Sequence, residues 1–260
     1  MMKKYILDLA LTAVERLHER YVLLKATDPR NSLPEMKPGQ FAQLKVEGSK
    51  RTFLRRPISI HYVDRPNNEV WFLVQTVGDG TRQLAKMEVG ENLNVVLPLG
   101  NGFTVPDSAC TKVLLVGGGV GVAPLLYLGA ALKEKGLEPT FLLGARSAGD
   151  LLQISEFQSL GRVFVTTEDG SAGEQGFVTQ HSLLQQERFQ QISVCGPKPM
   201  MVAVARYAKL TDTPCEVSLE NMMACGLGAC LCCVEDTEMG NVCVCTEGPV
   251  FDIKQLKWQI

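Results

Sequence analysis

Six of the chain's nine cysteines fall in the 21 positions from Cys225 to Cys245, in the stretch CGLGACLCCVEDTEMGNVCVC. Sulfurs at that density form disulfides or hold metal. Cys225, Cys230 and Cys233 are spaced C-x4-C-x2-C, and Cys245 follows after eleven residues. That is the plant-type spacing of a [2Fe–2S] cluster. Loops of four and two residues let three thiolates converge with no helix between them. Gly226, Gly228 and Ala229 keep side chains clear, so backbone N–H groups can point at the sulfurs and tune their potential. Structural zinc is the competing chemistry. Cys230 and Cys233 form a C-x2-C knuckle, but Cys243 and Cys245 are separated by one residue, where a second knuckle usually has two or more. Spacing leaves Cys232 without a role, and leaves Cys243 nearly as good a fourth ligand as Cys245.

Three further motifs suit phosphate-bearing ligands. GGGVGVAP, from Gly117 to Pro124, follows an apolar run and opens a helical pattern. Gly117, Gly118, Gly119 and Gly121 would let the backbone turn tightly against a pyrophosphate, which the helix N-terminus then stabilises. Ala123 and Pro124 stand where a Rossmann fingerprint would carry its third glycine, and a plain packing turn is the alternative. CGPKPMM places Cys195 and Gly196 at the end of another apolar run, consistent either with a nucleotide across a sheet edge or with a plain strand-to-helix turn with proline at the first helical position. In LRRPISIHY, two arginines and Ser59 open a strand, and VGDGT supplies Gly80 and Thr81 at a helix start. Arginine's forked donors match phosphate, so these two segments could hold the ends of one diphosphate cofactor.

The surrounding elements fall into two rhythms. Up to residue 103, RYVLLKAT, QFAQLKV, PISIHYV and EVWFLVQTV are short, rich in β-branched and aromatic residues, and bounded by turn formers. They predict an antiparallel barrel or sandwich, taken as a β-barrel over 1–103, with a short helix at TRQLAKME. From residue 112 strands alternate with helices: KVLLVGG, VAPLLYLGAALKEKG, PTFLLGAR, GDLLQISEFQSL, RVFVTTEDG, FVTQHSLLQQE, ISVCGP and KPMMVAVARYAKL. This predicts a doubly wound parallel sheet, an α/β domain over 104–213. After Thr213 the pattern dissolves, leaving 214–260 as a small cysteine-bound tail.

The 260 residues are 45% hydrophobic and 21% charged, with a net charge of −2, which offers no footprint for nucleic acid or an anionic membrane. The N-terminal MMKKYILDLALTAVERLHERY reads as strands rather than an export signal, because Asp8 interrupts the apolar run. Residues 113–132 are uncharged over the length of a membrane span, but their glycines and proline favour a strand, a turn and a buried helix. A cytoplasmic, reducing location is therefore expected, with Cys110, Cys195 and Cys215 as free thiols. His18, His61 and His181 stand in unrelated contexts, so no catalytic side chain is expected.

The motifs RRPIS, GDGT, PLGNGF, GGGVGVAPL, CGPKPMM and CGLGAC…C…CTEGPVF, in that order over nearly the whole chain, resemble the electron-transfer subunits of NAD-dependent dihydroorotate dehydrogenases. These belong to the ferredoxin–NADP reductase-like superfamily. The resemblance implies FAD held by Arg56, Pro57, Ile58 and Ser59, by Leu73, Val74 and Gln75, and by Gly80 and Thr81. It implies NAD at the glycine turn and at Cys195–Gly196, and a [2Fe–2S] cluster on Cys225, Cys230, Cys233 and Cys245. Arg146 and Ser147, after the second strand of the sheet, could meet a 2′-phosphate, but the resemblance points to NAD.

Nicotinamide exchanges two electrons at once and an iron–sulfur cluster one; a flavin does both and belongs between them. The implied role is to carry electrons from the FMN of a dihydroorotate-oxidising partner through the cluster and FAD to NAD⁺, in pyrimidine (UMP) biosynthesis. The assembly would be a heterotetramer with two of each chain. Two other readings compete: a related flavin/iron–sulfur reductase subunit, of sulfide dehydrogenase or ferredoxin–NADP reductase type, and a zinc-stabilised nucleotide-binding regulator.

Overall fold

In the computed structural model, residues 3–107 and 109–260 are described. Met1 and Met2 of the expected barrel, and Ser108 of the expected nucleotide domain, lie outside the described residues. The chain divides into two compact units. One comprises Met1–Gly102, Asn221–Glu235 and Val242–Pro249; the other comprises Phe103–Glu220, Asp236–Asn241 and Val250–Ile260. Residues of the expected 214–260 tail thus contribute to both.

The first unit is built on β1 (Tyr5–His18), β2 (Tyr21–Thr27), β3 (Phe41–Leu44), β4 (Arg56–Ser59), β5 (Tyr62–Asp64), β6 (Glu69–Gln75) and β7 (Asn92–Leu99), with helix α1 (Asp79–Leu84) after β6. The strands form one antiparallel sheet in the order β4-β3-β7-β1-β2-β6-β5. Its two edge strands are consecutive in the chain, separated only by Ile60 and His61. Ile60 donates its N–H to Gln40 on one side, and His61 donates to Trp71 on the other, both at 2.9 Å. Those two residues curl the sheet into a half-barrel. The core on its inner face includes Leu9, Leu24, Leu44, Phe72 and Leu93, all at most 1% exposed.

Strand β7 is absent from the sequence reading, yet it lies inside the sheet between β3 and β1. Pro98 is the reason it is hard to recognise, since proline removes a ladder donor. The chain absorbs the missing N–H in an irregularity of the β3–β7 register between Phe41/Leu99 and Gln43/Val96.

The second unit holds β8 (Val113–Gly118), α2 (Ala123–Glu134), β9 (Thr140–Ala145), α3 (Ile154–Leu160), β10 (Arg162–Thr167), β11 (Glu174–Gln175), α4 (Leu183–Gln186), β12 (Gln191–Cys195), α5 (Lys198–Leu210) and β13 (Cys215–Ser218). After the cysteine loop come β14 (Val234–Thr237), β15 (Gly240–Cys243), α6 (Val244–Glu247) and β16 (Val250–Asp252). The sheet order is β11-β10-β9-β8-β12-β13-β16, parallel except for β16 against β13. The chain winds outward from β8 through β9 and β10, then returns to add β12 on the other side of β8. Between β8 and β12 the strand order reverses, which is where ligands bind in open α/β sheets. Gly129 lets α2 approach the sheet, because a Cβ there would stand 2.4 Å from Cζ of Phe141.

Two expected helices are shorter than their patterns. In GDLLQISEFQSL, Gln153 takes a left-handed φ of 49°, and only Ile154–Leu160 is α-helical. In FVTQHSLLQQE, Nδ1 of buried His181 accepts the Leu183 N–H at 3.0 Å, and Glu174 takes the Ser182 N–H at 2.9 Å. Side chains capture the donors a continuous helix would need, so a 3-10 turn and the four-residue α4 replace it. The sheet also continues beyond Thr213, where β13 and β16 are too short and too distant in sequence to show a pattern. Segment 113–132 is a strand, a turn and a helix, and among the described residues no helix is long and apolar enough to cross a membrane.

Candidate functional site

The cysteine loop is shaped by its glycines. Gly226 and Gly228 take left-handed φ values of 69° and 82°, which L side chains rarely adopt. The bends turn three backbone N–H groups onto sulfur: Leu227 to Cys225 at 3.3 Å, Gly228 to Cys245 at 3.1 Å, and Cys245 to Cys233 at 3.4 Å. Cys225 has Cys230 as a neighbour, and Cys245 has Cys233. Chiefly through the Leu227 N–H, the Cys225 thiol is lowered to about 6. Burial first, and then the contact with Cys233, push Cys245 up to about 12.

The donor set fits a [2Fe–2S] cluster. Four cysteine sulfurs, three of them each receiving a backbone N–H, are the donor set such a cluster takes. Among the described residues, no three His, Cys, Asp or Glu side chains close on a point as a single-metal site.

Cys243 is placed differently from Cys245, although it too reaches Cys233. The Gly228 main chain distinguishes them: its N–H donates to Cys245 Sγ at 3.1 Å, and its carbonyl oxygen accepts from the Cys243 thiol at 3.9 Å. The N–H gives Cys245 the charge-assisted bond that a metal-bound thiolate uses, and the Cys243 thiol instead faces a carbonyl oxygen. Cys232 is exposed and makes no hydrogen bond among the described residues.

The loop is braced against the half-barrel by residues the sequence reading did not single out. Asn101, just after β7, donates Nδ2 to the carbonyls of Thr246 and Glu247 at 3.2 and 2.9 Å, and its N–H to Gly248 at 2.6 Å. These are the orphan carbonyls at the end of α6, the helix that carries Cys245. Gly100 permits the approach, since its Cβ would stand 2.5 Å from Pro249. On the other side of the loop, Gln43 of β3 donates to Ala224 at 3.5 Å. The signal for Asn101 was the PLGNGF motif; Gln43 carried none.

The arginine pair has divided its work. Arg55 gives Nη1 to the carbonyls of Gln43 and Asn94, at 3.2 and 3.0 Å, and Nη2 to the Asn94 side chain. It ties β3 to β7. Arg56 makes no hydrogen bond or ion pair among the described residues, so its fork is available to an anion. It is packed against the VGDGT turn: a Cβ on Gly80 would meet Arg56 Cδ at 3.0 Å and Thr52 Cγ2 at 2.9 Å. Asp79 ties this corner together by accepting from Ser49 at 2.5 Å and Thr52 at 3.2 Å. The Ser49 bond foremost keeps the Asp79 carboxyl below its ordinary range.

The Thr81 hydroxyl is engaged with Gly78, accepting its N–H at 3.1 Å and donating to its carbonyl at 3.2 Å. What the turn offers a ligand is therefore main chain, the N–H groups of Asp79, Gly80 and Thr81 that open α1. Pro57, Ile58 and Ser59 follow Arg56 along the half-buried β4. Leu73 and Val74 are buried in β6, and Gln75 donates to the Tyr21 hydroxyl at 3.0 Å. Strand β5 pairs with β6 only up to Trp71, which leaves that main-chain edge without a strand partner at Leu73, while the Gln75 carbonyl accepts the Val77 N–H at 3.0 Å. An unpaired guanidinium, free helix-opening donors and an open strand edge fit a flavin dinucleotide.

In the second unit, Cys195 lies in register with Gly117 where β12 and β8 end side by side. A Cβ on Gly121 would stand 2.5 Å from the Cys195 carbonyl oxygen and from Gly196 Cα. One on Gly118 would meet Met200 Sδ at 2.6 Å, and one on Gly117 would meet Val122 and Leu125 at 2.9 and 3.0 Å. Packing of the two turns accounts for these glycines. Gly119 differs: its φ is 55° and its Cβ would meet nothing within 4 Å, so there the backbone is bare towards open space. That bare surface at the strand-order reversal fits a nucleotide. The Cys195 thiol is buried and held well above its ordinary range by burial, so it stays protonated.

Residues 220–257 match the family described as the iron–sulfur cluster binding domain of dihydroorotate dehydrogenase B, and residues 115–206 match the oxidoreductase NAD-binding domain. The electron transfer subunit of dihydroorotate dehydrogenase B (NAD(+)) from Shouchella clausii is 41% identical over 224 residues, covering 84% of this chain and 86% of that protein. The subunit of the same name from Listeria monocytogenes serotype 4a is 42% identical over 222 residues, covering 84% and 86%. Among solved structures, the NADH-dependent reduced ferredoxin–NADP oxidoreductase superposes with a TM-score of 0.85 at 30% identity, covering 96% of this chain and 90% of that one. The FAD/NAD-binding domain of a Vibrio cholerae nitric oxide dioxygenase shares the fold, with a TM-score of 0.70 at 19% identity, over 81% of this chain and 97% of that one.

Proposed function

Because the chain belongs to the electron-transfer subunits of dihydroorotate dehydrogenase B, we propose that Cys225, Cys230, Cys233 and Cys245 hold its [2Fe–2S] cluster, that the Arg56–Gly80 corner holds FAD, and that the two glycine turns hold NAD. The protein is an oxidoreductase subunit that takes electrons from the FMN of a dihydroorotate-oxidising partner and passes them to NAD⁺ in pyrimidine biosynthesis. The bound groups supply the redox chemistry, one electron at a time at the cluster and in pairs at the nicotinamide. The residues bind, orient and tune. Leu227, Gly228 and Cys245 N–H groups stabilise thiolate charge, Asn101 and Gln43 hold the loop on the half-barrel, and Arg56 neutralises phosphate.

The observation that carries this reading is the Gly228 N–H, which donates to Cys245 Sγ at 3.1 Å and supports that sulfur as the fourth of the C-x4-C-x2-C set. Met222, Leu227, Leu231 and Val234 are exposed on the same loop and suit an apolar partner surface beside the cluster. At the end of β9 the Ser147 hydroxyl is engaged with the Asp150 carboxylate at 3.1 Å. A 2′-phosphate would be repelled there, which supports NAD over NADP. This reading places the chain in the cytoplasm, where free thiols persist, in a heterotetramer with its FMN-containing partner.

Purification under nitrogen tests the assignment: about two irons and two labile sulfides per FAD are expected. A colourless protein with stoichiometric zinc and no flavin overturns it. The resemblance to the ferredoxin–NADP oxidoreductase sustains a second reading, a reductase subunit serving another partner. Copurification decides between them, since the first reading requires a dihydroorotate-oxidising subunit.

The two arginines make a paired prediction. Arg56→Ala removes a charged phosphate contact of about 1.5–3 kcal/mol, so FAD affinity falls roughly 10- to 100-fold, read as flavin retained on gel filtration. Arg55→Ala instead unties β3 from β7, and the expected result is a lower melting temperature. Equal flavin retention in Arg56→Ala and wild type counts against the assignment.

A further inference from the structure

Gln43 is an unusual residue for its position. It lies in β3, paired across the ladder with Pro57 of the flavin strand and Val96 of β7, and it is 0% exposed. Its Oε1 is buried with no hydrogen-bond partner among the described residues. Leaving such an acceptor unmatched costs about 1–3 kcal/mol, and an apolar side chain of the same shape would be neutral or better. Stability therefore does not account for an amide here.

The far end of the side chain does. Nε2 donates to the Ala224 carbonyl, one residue before Cys225, at 3.5 Å. Gly226, one residue after Cys225, is packed so closely that a Cβ would stand 2.8 Å from both Cγ and Nε2 of Gln43. The amide's orientation is set by the Ala224 carbonyl, which accepts from the NH₂ and would repel the oxygen. One side chain thus reaches from the flavin strand's neighbour to both residues flanking a cluster ligand.

We propose that Gln43 is the positioning residue of the iron–sulfur loop, fixing Cys225 against the half-barrel and thereby setting how firmly the cluster is held and at what potential. The unmatched Oε1 would be available as an acceptor for the loop's main chain in the iron-bound protein. This rests on the reading of Cys225–Cys245 as a [2Fe–2S] site. Partners that orient metal ligands typically change metal affinity or activity about 10- to 100-fold when removed.

Gln43→Met keeps length and volume while removing both polar ends. Its expected signature is split. Iron loss to a chelator, followed at the cluster's visible absorption, accelerates about tenfold. The electron paramagnetic resonance signal and midpoint potential of the reduced cluster shift, while FAD content and melting temperature hold or rise. Unchanged iron loss, resonance and potential overturn the proposal. So does a parallel fall in melting temperature, FAD and iron, which marks a merely structural residue. Should Gln43→Met not fold, Gln43→Glu keeps the shape but sets a carboxylate against the Ala224 carbonyl. The same faster iron loss is expected there, and wild-type retention overturns the proposal. A wild-type protein that binds FAD but no iron and sulfide defeats the underlying cluster reading instead.

Discussion

Cys245→Ser is expected to empty the iron site, whereas Cys243→Ser leaves iron and sulfide near the wild-type level of about two each per FAD. The two cysteines are one residue apart, so spacing barely separates them. The difference comes from the Gly228 main chain, whose N–H points at Cys245 Sγ and whose carbonyl accepts from the Cys243 thiol. A thiolate ligand gains from a charge-assisted hydrogen bond of about 1.5–3 kcal/mol; the sulfur facing a carbonyl oxygen has the opposite field. Cys245 is also buried, on a short helix whose C-terminal carbonyls Asn101 restrains. Iron and sulfide analysis of the two variants, purified without oxygen, reads the result directly. If Cys243→Ser loses the cluster and Cys245→Ser keeps it, the fourth ligand is Cys243.

Gly121→Ala is expected to raise the NADH concentration for half-maximal flavin reduction roughly 10- to 100-fold. The methyl would stand 2.5 Å from the Cys195 carbonyl oxygen and from Gly196 Cα. Both obstacles are backbone, so no flexible side chain can yield, and the two nucleotide turns must part. Overpacking of this kind costs about 1–3 kcal/mol, which is that many-fold in binding when it falls on the ligand-bearing geometry. The residues proposed for cluster and flavin lie in the other unit, so iron and FAD content should be unchanged. Rapid mixing with NADH, followed at the flavin absorption, gives the dependence. An unaltered half-saturation would mean that the turns do not hold the nucleotide.

The chemistry was legible because it is written in short spacings. C-x4-C-x2-C, GGGVGVAP and RRPIS each act through residues a few positions apart, and local loops suffice to bring their groups together. Strands of β-branched residues and the regular α2 and α5 were readable for the same reason. Illegible elements depend on partners far along the chain. Strand β7 conceals itself behind Pro98, and β13 with β16 gains meaning only by pairing across some 35 residues. The helix expected over FVTQHSLLQQE is overridden by His181 and Glu174, whose side chains take donors the local pattern assigned to the backbone.

By itself, then, the sequence determined what kinds of group the protein can hold: thiolates in iron–sulfur spacing, glycine turns for phosphates, and arginines for an anionic cofactor. Tertiary structure decided which members of each set are available. Arg55 is spent on joining β3 to β7 and Arg56 is free. Gly121 serves packing while Gly119 lies bare. Cys245 receives the Gly228 N–H and Cys243 does not. Each choice depends on which strands and loops lie side by side, and long-range pairing leaves no local trace in the order of residues.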